Sequence, residues 1–213
     1  MKVLQPPRKL PMAALSVITV SSAVVSCGQA PSAMEAPEPK WSEVVVDEDV
    51  APSPPVELFV PSDNPDLEIS TAVTPMPTEC REIIDPPRDS DGIAGVYSCG
   101  DFDQPGTSTE GLAILAGHAA AGIDTEFNRL YQRGDSLRGQ EVFVKTETSG
   151  DHWLEYSVDE VFTPDKNELP YMEEVWAGDT AGRLVMVTCF VEPDGSSTRN
   201  YVAVLQFEGL QSQ

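Results

Sequence analysis

Basic side chains are scarce in this sequence of 213 residues, in which 13 Lys and Arg stand against 35 Asp and Glu and leave a formal net charge of −22. Nucleic-acid binding needs clustered cations to neutralise phosphates, and peripheral attachment to an anionic membrane through side chains needs them too. The composition therefore argues against both functions. Cys-x-x-Cys is also absent, which argues against a thiol redox protein. Hydrophobic residues make up 40% of the chain, enough for one core of about 100–150 residues.

The sequence has no N-terminal apolar run that is long and uninterrupted enough to indicate a transmembrane helix. Instead, residues 1–26 combine a cationic start, no acidic residue, and an apolar stretch that Pro11 and serines interrupt, as in a signal peptide. The stretch ends in Val-Val-Ser-Cys-Gly at 24–28, which resembles a lipobox and makes Cys27 the predicted site of lipidation. Two acyl chains give stable attachment, so we expect the protein at the outer face of the cytoplasmic membrane. Ordinary secretion, or a retained anchor with an incidental cysteine, is the alternative.

Proline and acidic residues characterise the next segment, residues 27–55. Such a composition cannot bury a core and lacks backbone donors, so it predicts a semi-extended spacer that holds a domain off the membrane. The domain itself is predicted to occupy residues 56–213.

The four cysteines are Cys27, Cys80, Cys99 and Cys189. If Cys27 carries lipid, three thiols remain, and Cys80 and Cys99 are the natural disulfide pair because they lie close together in a loop-rich stretch. Cys189 is then free. A free thiol in a secreted protein is either a reactive group or a buried inert one, and the cysteine count does not decide between the two.

Short apolar and alternating segments recur along the domain, separated by turn residues, which indicates a mainly β fold. The runs at 112–116 and 184–189 are apolar on both faces, which favours a closed barrel over a sandwich. One short helix is predicted around residues 125–132. The predicted strands lie at 56–60, 67–73, 93–97, 112–116, 141–148, 153–158, 184–189 and 200–207.

Three chemically capable side chains lie at predicted strand ends. His118 follows the apolar run and Gly117, Cys189 ends another buried run, and Arg199 begins the last strand. Arg199 is expected within cross-strand reach of Cys189, with His118 on a neighbouring strand. A thiol, an imidazole and a guanidinium form a set of nucleophile, acid–base group and oxyanion donor.

The motifs around these residues resemble those of the sortase family. Leu-Ala-Gly-His at 115–118, Phe-Asn-Arg-Leu at 127–130 and Gly-Asp at 134–135 are similar to a Gly-His strand end followed by F-x-x-L and GD. Trp-Leu-Glu-Tyr-Ser-Val at 153–158 is similar to the strand that follows, and Val-Met-Val-Thr-Cys at 185–189 to the T-L-x-T-C nucleophile strand. Arg199 fits the arginine that begins the last strand. The separation of 71 residues between His118 and Cys189, with Pro-Gly at 105–106, resembles class F sortases most.

This resemblance implies a closed eight-stranded β-barrel with one or two short helices, and a cysteine transpeptidase of Gram-positive bacteria. Cys189 would attack an LPxTG-type sorting signal, His118 would transfer protons, Arg199 would stabilise the oxyanion and Thr188 would contact substrate. The implied partners are sorting-signal proteins and a cell-wall peptide amine or water, with no cofactor and no metal. A catalytically inactive sortase-like lipoprotein that binds an extended peptide is the alternative.

Overall fold

The computed structural model describes residues 42–43, 49–81, 83–87 and 95–212. The predicted signal peptide, Cys27 and most of the predicted spacer lie outside the described residues, as do positions 93 and 94 of one predicted strand. No helix within the described ranges is long and apolar enough to cross a membrane.

Eight of the strands in these ranges close into a β-barrel, so the predicted fold class is confirmed. The elements are β1 (Ser42–Glu43), β2 (Pro55–Val60), β3 (Ile69–Pro75), β4 (Val96–Ser98), β5 (Leu112–Gly117), α1 (Glu126–Gln132), β6 (Glu141–Thr146), β7 (His152–Phe162), α2 (Glu173–Trp176), β8 (Arg183–Phe190) and β9 (Arg199–Ser212). The ring runs β9-β7-β6-β2-β3-β4-β5-β8 and closes through the pairing of β8 with β9, while β1 pairs with the end of β9.

The interior of the barrel is filled by alternate residues of these strands. In β8 and β9, Leu184, Met186, Ala203 and Leu205 point inward and are fully buried, because successive side chains of a strand point to opposite faces. Leu115 of β5 belongs to the same core. The inward residues are thus every second residue along each strand.

A second apolar layer covers the outer face of β5, β8 and β9. Ile114, Val185, Val187 and Val202 point outward, yet they are buried under the loops after β3 and β7. The two runs that are apolar on both faces are therefore the strands that have a packed layer on each side.

The predicted disulfide between Cys80 and Cys99 is present and belongs to this outer layer. It joins the connection that follows β3 to the end of β4, and the cysteines are 19 residues apart. A loop of that size corresponds to about 3 kcal/mol of stabilisation in the chain-entropy model.

The packed structure begins before residue 56. Val50 is buried in the barrel core, and its carbonyl accepts a hydrogen bond from Thr107 N at 2.9 Å. Ser53 is also buried and donates its backbone N–H to Pro105 O at 3.1 Å. Residues 49–54, which the composition assigned to the spacer, are thus held against the barrel.

Candidate active site

The register of two parallel strands brings His118 and Cys189 together. Strand β5 pairs with β8 so that Ala116 lies opposite Val187. Two residues further along, the same register sets His118 level with Cys189. Both continue the outward-facing rows of their strands, because side chains two residues apart share a face. The separation of 71 residues noted in the sequence equals the offset of this pairing.

The backbone around His118 is anchored by the start of α1. Thr125 caps this helix, since its Oγ1 accepts a hydrogen bond from Asn128 N at 3.0 Å. The same hydroxyl donates to the carbonyl of His118 at 2.8 Å. Asn128 holds the intervening turn by accepting from Ala120 N and donating to Ala120 O. A single polar cluster therefore defines both the helix start and the end of β5.

The imidazole of His118 is buried, with 8% of its surface exposed, and lies 2.7 Å from the carbonyl oxygen of Pro86 through Nε2. A carbonyl only accepts hydrogen bonds, so Nε2 carries a proton and donates it to Pro86. Nδ1 is then the ring nitrogen left for the thiol. Pro86 is followed by Pro87, whose ring favours an extended backbone at Pro86 and provides no competing N–H.

Gly117 allows the close packing on which this position depends. A Cβ at residue 117 would lie 2.8 Å from Cδ2 of Phe127, a ring that is 1% exposed and part of α1. We expect Gly117→Ala to lower the free energy of unfolding by about 1–3 kcal/mol, because a buried ring must move. Urea unfolding measures this change.

Gly209→Ala is the matched control for that experiment. Gly209 also lies within a strand, β9, and a Cβ added there would meet nothing within 4 Å. Equal unfolding midpoints for the two variants would contradict the role assigned to Gly117.

Cys189 is the free cysteine of the described residues, and its thiol is half-buried. A hydrogen bond with the His118 side chain is the largest influence on this thiol, and it lowers the pKa of Cys189 to about 7. Burial acts in the opposite direction, and the positive charge of Lys166 adds to the lowering. Near neutral pH, a large fraction of Cys189 is therefore thiolate, the nucleophilic form of cysteine. A partly exposed thiol with a lowered pKa beside an imidazole is the usual environment of a reactive cysteine.

The two side chains open into a cavity of about 600 Å³ on the outer face of the barrel. Apolar groups form most of its wall, and the Cys80 end of the disulfide contributes to it. A concave, largely apolar site with a few convergent polar groups is the usual form of a ligand-binding site. The cavity is lined by Cys80, Arg81, Ile83, Ile84, Asp85, Pro86, Phe102, Ala116, Gly117, His118, Lys166, Leu169, Pro170, Trp176, Val187, Thr188, Cys189 and Asn200.

Arg199 takes a different position from the one expected of an oxyanion donor. Its Nε donates to Oε1 of Glu192 at 2.8 Å, and its guanidinium carbon lies 4.3 Å from the centre of the Phe190 ring. Arg199 is not among the described residues that line the cavity. Thr188 does line it, although its side chain is 3% exposed and its hydroxyl has no hydrogen-bond partner among the described residues.

Sequence reasoning did not identify Pro86, Lys166 or Asn200 as part of the site. Asn200 follows from the pairing of β8 with β9, in which Cys189 lies opposite Asn200 and Phe190 opposite Arg199. Neither Pro86 nor Lys166 belongs to a motif, and only the fold brings their loops to the cavity. In the described part of the chain, no group of three or more His, Cys, Asp or Glu side chains is arranged to hold a metal ion.

Comparison with known proteins finds one matching family model and several similar solved structures. A family model described as a sortase domain matches residues 65–207. The solved structure of sortase C from Streptococcus pneumoniae is 14% identical over 79% of this chain and 73% of its own, with a TM-score of 0.52. Sortase C1 from Streptococcus suis is 13% identical over 73% of each chain, with a TM-score of 0.51. The SrtA sortase of Actinomyces oris is 16% identical over 81% of this chain and 86% of its own, with a TM-score of 0.50. No significant match was found among curated protein sequences.

Proposed function

Because this chain belongs to the sortase family, we propose that it is an extracytoplasmic cysteine transpeptidase that cleaves an LPxTG-like sorting signal. The observation that supports this proposal most directly is the position of Cys189 and His118, which are level with each other in the register of two parallel strands and both line an apolar cavity. A nucleophile beside its acid–base group in a concave site is what acyl transfer requires.

The chemistry follows from the two side chains. The Cys189 thiolate attacks the carbonyl carbon of the threonine, a C–S bond forms, and the scissile C–N bond breaks. The His118 imidazolium gives its proton to the departing amine. Neutral His118 then accepts a proton from a cell-wall amine or from water, which attacks the thioester and releases the thiolate.

The resemblance also assigns Arg199 to the oxyanion and Thr188 to the substrate. To serve the oxyanion, the guanidinium of Arg199 would have to leave Glu192 and Phe190 and turn towards Cys189. The finer assignment to class F rests on the separation of His118 and Cys189 and on the Pro-Gly pair at 105–106.

The test uses the soluble chain from Gly28 onward with a quenched LPxTG-type peptide, in the presence and absence of hydroxylamine. We expect cleavage after threonine, and hydroxylamine should convert the new threonine carboxyl into a hydroxamate that mass spectrometry detects. If several peptide variants remain uncleaved although iodoacetamide alkylates Cys189 completely, the transpeptidase proposal is overturned. The alternative, an inactive lipoprotein that binds an extended peptide, is then favoured.

The proposed location is the outer face of the cytoplasmic membrane, through a lipid on Cys27. Two acyl chains bind a bilayer stably, whereas a chain with 13 Lys and Arg against 35 Asp and Glu is not attracted to an anionic bilayer by its net charge. Cys27→Ser should move the protein from the detergent phase to the aqueous phase on fractionation of cells. Wild-type protein in the aqueous phase would contradict lipidation.

A further inference from the structure

The connection that follows β3 forms one side of the active-site cavity. Its residues 83–86 line the cavity together with His118 and Cys189. Within this connection, the carbonyl oxygen of Pro86 accepts the hydrogen bond from Nε2 of the buried His118 ring at 2.7 Å. An acid–base histidine is commonly oriented in this way, with a third group at one ring nitrogen and the nucleophile at the other. Here the third group is a backbone carbonyl.

A backbone carbonyl keeps its position only if the chain that carries it is fixed. The described residues of this connection, 76–81 and 83–87, form no helix or strand. A segment without a regular ladder of hydrogen bonds depends on a few individual contacts for its position. The contacts near Pro86 therefore decide whether its carbonyl stays against His118.

The strongest of these contacts is the disulfide at the start of the connection. Cys80 is bonded to Cys99, which follows β4 and donates its N–H to a carbonyl of β5 at 3.1 Å. Beside the disulfide, one carboxylate oxygen of Asp101 accepts from Cys80 N at 2.8 Å and from the next backbone N–H at 3.0 Å. Ile84 packs against the apolar layer that contains both cysteines. The connection is thus tied to β5, the strand that ends at His118.

We propose that the Pro86 carbonyl is the positioning group of His118 and that the Cys80–Cys99 disulfide keeps it in place, so that cleavage depends on this disulfide. With Nε2 donating to Pro86, the ring presents Nδ1 to Cys189 for proton transfer. Without the disulfide, the ring can adopt the other tautomer or turn, and a misplacement of about 1 Å can cost about 100-fold in rate. This inference deepens the proposed transpeptidase and rests on it for the reaction, whereas the state of the ring can be measured without substrate.

The first arm of the test reads the His118 ring by nitrogen NMR of the full-length chain, labelled with the nitrogen isotope in histidine. The shifts of the two ring nitrogens distinguish the neutral tautomers. We expect the Nε2–H tautomer in the wild type and a mixture of both tautomers in Cys80→Ala/Cys99→Ala. His152, the other histidine of the sequence, is the internal control, because it lies at the start of β7 beside Ser212 and does not line the cavity. Its shifts should stay the same.

The second arm measures kcat/KM on the cleaved peptide. Cys80→Ala/Cys99→Ala should lower it by roughly 10- to 100-fold, because the acid–base group is no longer held in position. Leu210→Ala is the matched control for lost stability, because Leu210 is buried in the barrel core and does not line the cavity. Its kcat/KM should stay within about twofold of the wild type. Both variants are assayed at a temperature at which circular dichroism shows them folded.

Asp101 provides a second variant that leaves the disulfide in place. Asp101→Ala removes the acceptor of two backbone N–H groups at the start of the connection. It should lower kcat/KM by roughly three- to tenfold, the effect of losing one or two hydrogen bonds that hold the connection. Asp101→Asn keeps an oxygen acceptor and should restore most of the rate. If the double cysteine variant does not fold, the two Asp101 variants decide the test.

The outcomes separate this inference from the proposed function. A folded double cysteine variant with the wild-type tautomer and rate would overturn the inference, and so would the Nδ1–H tautomer in the wild type. An equal loss in Leu210→Ala would overturn it too, because stability alone would then explain the effect. Asp101→Asn as slow as Asp101→Ala would also contradict it. If the wild type cleaves no peptide, the transpeptidase fails, and the NMR arm still decides whether the disulfide orients His118.

Discussion

Cys189→Ala is expected to reduce cleavage of an LPxTG-type peptide to the rate of peptide in buffer. Alanine has no nucleophile, so no thioacyl-enzyme can form, and no other free cysteine occurs in the described part of the chain. Removing a nucleophile commonly costs as much as removing the whole catalytic set. The measurement is product formed over hours by mass spectrometry, with hydroxylamine present to release any acyl-enzyme.

Two controls make a negative result for Cys189→Ala interpretable. The thermal unfolding midpoint should stay close to that of the wild type, since the Cys189 thiol is half-buried and its loss leaves the barrel core intact. Cys27→Ser removes a cysteine as well, and in solution it should cleave at the wild-type rate. A hydroxamate produced by Cys189→Ala would show that another group carries the acyl chain.

The barrel itself could be predicted because its signals are local. Alternating or continuous apolar segments marked seven strands whose central residues the structure places in β2, β3, β5, β6, β7, β8 and β9, and an eighth that is present as β4. The ends were harder. Strands β7 and β9 extend to Phe162 and Ser212 because they pair with each other across bulges, and a partner distant in sequence leaves no local pattern. The short β1 is formed by the same kind of distant pairing.

The pairing of His118 with Cys189 was predictable in identity but not in geometry. Each residue lies at the end of an apolar run that is visible in the sequence, and the resemblance to sortases assigned both residues to one active site. The register that sets them level comes from the parallel pairing of β5 with β8, and neither strand encodes its partner. The hydrogen bond from His118 to the carbonyl of Pro86 likewise depends on the connection after β3, which the disulfide between Cys80 and Cys99 holds in place.

The position of Arg199 shows what cannot be predicted from residues at the ends of strands. Cross-strand reach was correct as a distance, since Arg199 and Cys189 lie one residue apart in the β8–β9 register. One residue in a strand reverses the face, however, and the pleat can be assigned only when the turn between the strands is known. Lys166 lines the cavity from a loop with no regular pattern, so no sequence signal could have selected it.

His118→Gln should lower kcat/KM by roughly 10²- to 10⁴-fold, because a positioned acid–base group typically contributes that much. Glutamine keeps an amide N–H where Nε2 donates to Pro86, so the variant removes the titrating imidazole with little change to the packing. The same change should slow alkylation of Cys189 at pH 7. The pKa of Cys189, about 7 with the His118 hydrogen bond, should rise towards the value of an unperturbed thiol, about 8.5.

The pH dependence separates the two contributions of His118. At about pH 5, well below both pKa values, the thiol is protonated in both proteins and both react slowly. Near pH 7 to 8 the wild type should react faster, because more of its Cys189 is thiolate. Above about pH 9 both thiols are ionised, so the alkylation rates should converge. Cleavage should not recover there, because the departing amine still lacks a proton donor. His152→Gln, the same substitution at the other histidine, should match the wild type in both assays. Recovery of cleavage at high pH would mean that His118 serves only to ionise the thiol.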